Sequence, residues 1–313
     1  ELTTNPAPFT DETMLNPFSS QKVREALNWL VDRDYINQEV YGGFAVPKYV
    51  PLLSAFPDYA KHVEYARAAE AKYAYDFDKA QAQITEGMTD LGAEMVDGVW
   101  SFAGEPITII FLIRTDSDGT RVPIGDYVST QLESVGFTVD RQYKTSSEAS
   151  ALWIGTDPAE GQWTLYTGAW GATGISRDDA ADFQFFYSHT SVYGFTGLWQ
   201  SYEPVMTNEA PEFFEVSEKL ANGEFSTPEE RAELFGQAIA TSFDSSIRIW
   251  LIDGQGRQPF QNDIKVGGNL ATGFQTNRMW AHTMFFIGED GHPMEGGEVR
   301  WGSSDVFVDP ANP

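Results

Sequence analysis

The sequence contains no cysteine. Disulfides, thiolate metal sites and cysteine nucleophiles are therefore excluded. Basic residues are scarce, 20 against 46 acidic ones, for a net charge of −26. Such a surface repels phosphate backbones and anionic head groups, which argues against nucleic acid as a partner. No apolar run reaches the roughly 18 residues that a membrane-spanning helix needs. No leader segment is visible, the first residue is Glu1 rather than Met, and Ala311-Asn312-Pro313 closes no element. Both ends read as cut, so a piece of a longer protein is expected. The four His residues form no helical metal pair, and no Gly-x-Ser-x-Gly elbow or phosphate loop is present. No metal, cofactor or catalytic residue is expected.

What the sequence does have is ordinary apolar content, 42%, and many aromatics: 9 Trp, 13 Tyr and 22 Phe. That is enough for a sizeable core, with rings left over to line a cleft. Helical spacing of Val23, Ala26, Leu27, Leu30 and Val31 after Ser19-Ser20 predicts a helix running toward Tyr41, stopped by Gly42-Gly43. Further helices are expected over 57–72 and 79–91, the latter capped by Asp76 or Asp78. Turn signals at Asp97-Gly98 and Ala103-Gly104 frame a hairpin. Ile107 to Ile113 reads as a buried strand, Pro123 to Val135 as a helix, and Phe137 to Tyr143 and Trp163 to Trp170 as strands. This rhythm indicates an α/β layer. Residues 171–210 read as irregular and functional. Helices resume at Pro211 to Leu220 and after the Thr227-Pro228-Glu229-Glu230 capping box, and Ile247 to Ile252 is a strand.

Carboxylates could serve acid–base chemistry, and Asp178, Asp179 and Asp182 are the candidates for a glycosidase pair. With 46 acids, such clusters arise by chance. Asp116-Ser117-Asp118-Gly119 has the flavour of a calcium loop but lacks the rest of it. It reads as a turn after a strand.

The run from Asn16-Pro17-Phe18 through Val23-Arg24-Glu25-Ala26-Leu27 to Asp32-Arg33, with Val40-Tyr41-Gly42-Gly43 beyond, resembles the family 5 extracellular solute-binding proteins. These include the oligopeptide, dipeptide and nickel carriers of ABC importers. Tyr75-Asp76-Phe77-Asp78-Lys79-Ala80 and the order strand, helix, strand ending in Ala169-Trp170-Gly171-Ala172 are similar too. The resemblance covers roughly residues 14 to 285 of the chain. It implies a periplasmic-binding-protein-like lobe with a mixed sheet flanked by helices. Residues 1–253 would form the second lobe of a two-lobe protein, and 254–313 a truncated return segment toward the first. The implied role is capture of a small solute, an oligopeptide or oligosaccharide, for a membrane ABC permease. The implied setting is extracytoplasmic, periplasm or cell surface, with a lipid anchor open in the full-length protein. A monomer without enzymatic activity is expected. A carbohydrate-active enzyme and a surface interaction domain are the competing readings.

In the family's peptide carriers, the Trp at this place precedes an acid that pairs with the ligand's α-amino group. Thr173 stands there in this chain, unless Asp178 or Asp179 substitutes from a longer loop. The departure tips the expectation slightly toward a non-peptide or blocked-end solute. Loops at the carboxyl ends of strands should meet the ligand. Trp170 is the expected flat wall, and Thr173, Arg177, Asp178 and Asp179 the polar contacts. Trp199, with Tyr202 beside it in sequence, is a further aromatic candidate. The Phe183 to Tyr187 run is read as core.

Overall fold

The chain begins with strand β1 (Leu2–Thr4), whose three residues are all buried. The computed structural model describes residues 1–116, 118–169, 178–191, 196–254, 261–268 and 279–299. By contacts the chain divides into one unit of residues 1–170 and 177–255 and another of 171–176 and 256–313.

In the larger unit, the Asn16 side chain accepts from the Phe18 amide and donates to the carbonyls of Asn5 and Ala7. That fixes the entry into α1 (Gln21–Leu30), which buries Val23, Ala26, Leu27 and Leu30. The helix expected to reach Tyr41 is two helices. The Asp32 carboxylate accepts from the amides of Asp34 and Tyr35 and starts α2 (Arg33–Glu39). A capping side chain inside an apolar periodic run has cut that run in two. Gly42 and Gly43 then take φ of 60° and 79°, a conformation open to glycine, and lead to β2 (Ala45–Pro47). The 57–72 helix is likewise split at His62, giving α3 (Pro57–Lys61) and α4 (Val63–Lys72). Asp76 caps α5 (Phe77–Asp90). α5 lies so close to α1 that a Cβ on Gly87 would come within 2.8 Å of Val23 Cγ2.

A meander of β3 (Glu94–Val96), β4 (Val99–Phe102) and β5 (Glu105–Pro106) turns at Asp97-Gly98 and Ala103-Gly104, all four with positive φ. β6 (Thr108–Arg114), α6 (Arg121–Ser134) and β7 (Thr138–Lys144) form a β-α-β unit. Its strands pair in parallel from Thr108↔Thr138 to Arg114↔Lys144. α7 (Ser146–Trp153) follows a Thr145/Glu148 capping box. β8 (Leu165–Thr167) is shorter than the expected strand, with Trp163 buried ahead of it. The stretch expected to be irregular holds, in its described part, α8 (Asp182–Tyr187) and α9 (Thr196–Pro204). Phe183, Phe186 and Tyr187 are core. α10 (Pro211–Asn222) and the capping-boxed α11 (Pro228–Ser245) lead to β9 (Arg248–Ile249) and β10 (Ile252–Gly254).

The main sheet has the order β7-β6-β8-β1-β9. β6, β7 and β8 are parallel, and β1 runs against both β8 and β9. The fold is therefore a mixed sheet flanked by helices. The carboxyl ends of β6, β7, β8 and β9 and the start of β1 share one edge. β2 and β10 pair beyond it, Pro47 opposite Ile252. In the smaller unit, β11 (Ile264–Val266), α12 (Trp280–Thr283), β12 (Met284–Ile287) and β13 (Pro293–Met294) form an antiparallel sheet ordered β11-β12-β13 with one short helix. Among the described residues no helix is long and apolar enough to cross a membrane.

Arg33, 1% exposed, ties this edge together. Its Nε donates to the carbonyls of Lys48 (2.9 Å) and Trp250 (2.7 Å), and its Nη1 to that of Asn28 (2.8 Å). The guanidinium also lies 4.0 Å from the Tyr49 ring centroid. Burial lowers its pKa to about 10, so it stays charged at neutral pH. Arg33→Met would leave three buried carbonyls without their donor, each worth ~1–3 kcal/mol. Urea denaturation should show a loss of at least about 3 kcal/mol. A midpoint unchanged from the parent would refute this role for Arg33.

Candidate functional site

Asp178 and Asp179 emerge in the larger unit just before α8, and both are fastened to the protein. Asp178 is exposed, yet its Oδ1 accepts from Arg231 Nη2 at 2.7 Å and from the Ala180 amide at 2.9 Å. Asp179 is 2% exposed. Its Oδ2 accepts from the Leu53 amide at 3.3 Å, and its own amide donates to Asp58 Oδ2 at 3.0 Å. Arg231, from the first turns of α11, completes the node by donating to both Asp58 oxygens at 3.0 and 2.9 Å. Three chain segments meet here through carboxylates. The capping box at Thr227 places Arg231 one turn into its helix, from where it reaches both Asp58 and Asp178.

Asp182, the first residue of α8, sits against Asp179. Both carboxyls titrate above the ordinary range, chiefly because burial penalises the charged form. For Asp182 the neighbouring Asp179 charge adds to this, and the two side chains hydrogen-bond to each other. Such a pair shares a proton, because two carboxylates in contact cannot both ionise cheaply. The cluster thus does the work of fastening, and its acids are engaged with the protein rather than facing each other across a substrate gap.

Beside the node lies a cavity of about 490 Å³, bounded by Asp58, His62, Asp178 and Arg231. The His62 ring stacks on Phe235 with centroids 4.3 Å apart, and its Nε2 is buried without a hydrogen bond. Burial holds the imidazole below its usual pKa. Among the described residues no group of three or more His, Cys, Asp or Glu is placed to hold a metal ion.

Of the other residues singled out from sequence, Trp170, Thr173 and Arg177 lie outside the described residues. Trp199 is on α9, but its side chain is outside the description. Tyr202, on the same helix, is fully buried. What the structure does place is the edge at which β8 ends. Gly168 follows β8 there, and a Cβ on it would meet the Glu1 side chain at 2.7 Å. Arg114 ends β6 and pairs with Asp116 at 2.9 Å. Arg121 opens α6 and donates to the Thr167 carbonyl at 3.4 Å. Arg248 pairs with Glu1 at 2.5 Å and donates to Thr3 Oγ1 at 2.9 Å.

Lys48 follows β2, with its amide donating to the Leu251 carbonyl at 2.9 Å. Its Nζ stands 4.6 Å from the centroid of the Trp250 ring. That ring is held in place by its own Nε1–H, which donates to Tyr187 Oη at 2.8 Å, and by the edge of Phe186. Sequence reasoning singled out neither Lys48 nor Trp250. A single Lys between two prolines carries no periodic signal. Its neighbourhood is created by pairing with a strand far along the chain.

This edge, cationic and aromatic at the carboxyl end of a largely parallel sheet, is where open α/β sheets bind small molecules. The middle-region model of the bacterial extracellular solute-binding proteins, family 5, matches residues 3–194. The chain belongs to that family. No curated protein matches the chain in sequence. Solved structures of family 5 proteins share the fold. AppA, the oligopeptide-binding protein of Bacillus subtilis in complex with a nonapeptide, superposes with a TM-score of 0.64 at 17% identity, covering 91% of this chain and 50% of its own. NikZ of Campylobacter jejuni in complex with Ni(L-His) gives 0.61 at 18% identity, with 90% and 50% covered. A mannohexaose-bound periplasmic oligopeptide-binding protein of Thermotoga maritima gives 0.56 at 17%, with 81% and 43% covered. The family 5 chain described here thus spans about half the length of these proteins.

The Asp179–Asp182 pair makes stability depend on pH with a definite sign. A carboxyl whose folded pKa is raised favours the folded state most when protonated. Its contribution is complete below the unfolded value near 3.8 and is lost as pH rises to about 8. Asp182→Asn, which mimics the protonated form, should match the parent at pH 4. At pH 9 it should exceed the parent by on the order of 1–2 kcal/mol. Thermal melts across that range test it, and a gain that is largest at pH 4 would contradict the shared proton.

Proposed function

We propose that this chain supplies one lobe of the extracytoplasmic substrate-binding component of an ABC importer. In this reading residues 1–253 are the second lobe, and 254–313 return toward the first. The solute is held at the carboxyl edge of the main sheet, between this lobe and its partner lobe, which close on a hinge. The observation that carries the reading is the family 5 match over residues 3–194, supported by the fastening of Asp178 and Asp179 to Leu53, Asp58 and Arg231. Trp170 is the wall against which the solute packs, Thr173 and Arg177 orient it, and Trp199 adds a second aromatic contact. Asp178 and Asp179 act by holding the loop base that presents these residues.

The solute is an oligopeptide or oligosaccharide delivered to a membrane-embedded permease, in the periplasm or at the cell surface. Relatives bound to a nonapeptide and to mannohexaose support both solute classes. Thr173, where peptide carriers of this family have an acid, favours a solute without a free α-amino group. Calorimetry of the full two-lobe protein against peptide and oligosaccharide panels should find one solute bound per protein and no turnover. Trp170→Ala should weaken that binding by about ten-fold or more. Binding of free-amine peptides alone would overturn the solute preference, and binding of nothing across both panels would overturn the role.

A further inference from the structure

Among the described residues of the larger unit, the buried Arg and Lys side chains are matched, with one exception. Arg24 donates to the carbonyls of Phe18 and Ser245 and pairs with Glu209. Arg33 is satisfied by the carbonyls described above. Arg248 has Glu1 and Thr3. Lys48, only 9% exposed, has its ammonium over Trp250 and, among the described residues, no hydrogen bond and no ion pair within 4.0 Å.

The gap does not come from a shortage of acids, since the chain has 46. Four of them stand near Lys48: Asp253, Glu1, Asp182 and Asp179. Each has a partner of its own, although Glu1 Oε2 is buried without a hydrogen bond. Asp253 Oδ2 accepts from the Ser54 amide at 2.8 Å and from Ser54 Oγ at 2.7 Å. Glu1 pairs with Arg248 at 2.5 Å. Asp179 holds the Leu53 amide and shares a proton with Asp182.

An ammonium taken out of water without a hydrogen-bonded counter-charge is costly. The cation–π contact offsets only part of that. Among the described residues, a second cation at the same edge is also without a carboxylate partner. Arg121, half-buried, holds one carbonyl at 3.4 Å, and Arg114 lies close enough to repel it. Both Lys48 and Arg121 lie near Glu1, at the edge where β8 ends.

We propose that Lys48, carried on the Trp250 ring and reinforced by the field of Arg121, receives a carboxylate group of the captured solute. The class of ligand is a carboxylate-bearing small molecule. The inference deepens the solute-binding reading and rests on it for the guest being a transported solute. Its recognition element is distinct from Trp170 and from the Asp178-Asp179 loop base.

The test uses the chain itself and two minimal probes, propionate and propionamide, at matched ionic strength. The readout is the Trp250 indole N–H resonance, which the Tyr187 hydrogen bond locks in place. Propionate should shift it saturably, at concentrations at least ten-fold below those needed for propionamide. Lys48→Met should abolish that preference, and Lys48→Arg, which keeps the charge in an intact fold, should retain it. Equal responses to the two probes, or a preference that survives Lys48→Met, overturns the proposal. The solute panels of the preceding subsection fail separately. Propionate selected by Lys48 with no panel solute bound keeps the carboxylate site and removes its transport role. A panel solute bound with no dependence on Lys48 removes the site and keeps the role.

Discussion

The guanidinium of Arg33 is the contact on which the rest of the site depends. It accomplishes something no apolar side chain could: it takes the main-chain carbonyls of nearby Asn28, of Lys48 and of the distant Trp250, and fixes them around one planar donor set. The hydrogen bonds fix not only distance but orientation, because the donors of a guanidinium are coplanar. With the Lys48 and Trp250 carbonyls held on one nitrogen, the β2–β10 pairing that begins beside them has little freedom of register. The Lys48 side chain is then delivered to the Trp250 ring as a consequence of main-chain geometry. The cationic edge is therefore a product of the core rather than of the surface.

The same economy of cations recurs. Basic residues are outnumbered more than two to one, and several of the few are spent inside, at Arg24, Arg33 and Arg248. Among the described residues the acids remain largely outside, with the exceptions of Glu1 and the node of Asp58, Asp179 and Asp182. That node holds together because Arg231 and main-chain amides neutralise part of it and a shared proton neutralises more. Buried charge in this lobe serves connection between segments distant in sequence, which a sheet of short strands needs. β1, β8 and β9 have three, three and two residues, too few for ladder hydrogen bonds alone to fix them.

Much of this was legible in the sequence wherever the signal is local. The α11 capping box, the α5 cap at Asp76 and the β6-α6-β7 unit follow from residues within one turn or one strand of each other. Even misses had local signals: Asp32 is a good cap in the middle of a helical pattern, and Thr145 with Glu148 announces α7. β1 was not legible, because Leu2-Thr3-Thr4 becomes a strand only by lying between two others. The site divided in the same way. Asp178 and Asp179 stood out as acids in a loop, but their partners Arg231, Asp58 and Leu53 come from elsewhere in the chain, so their fastening role required the fold. Lys48 had no sequence signal at all.

The placement of β1 also governs the order of assembly. Leu2 pairs with Thr167 on one side and with Ile249 on the other, so the middle of the sheet joins the earliest part of the unit to nearly its last. A chain emerging from a ribosome or a pore can form its helical hairpins and the β6-α6-β7 unit early, since their contacts are local. It cannot close the sheet until residue 249 is available. Loop-closure entropy of that span makes the final step slow relative to the local ones. Until then β1 can have β8 on one side but lacks its neighbour on the other.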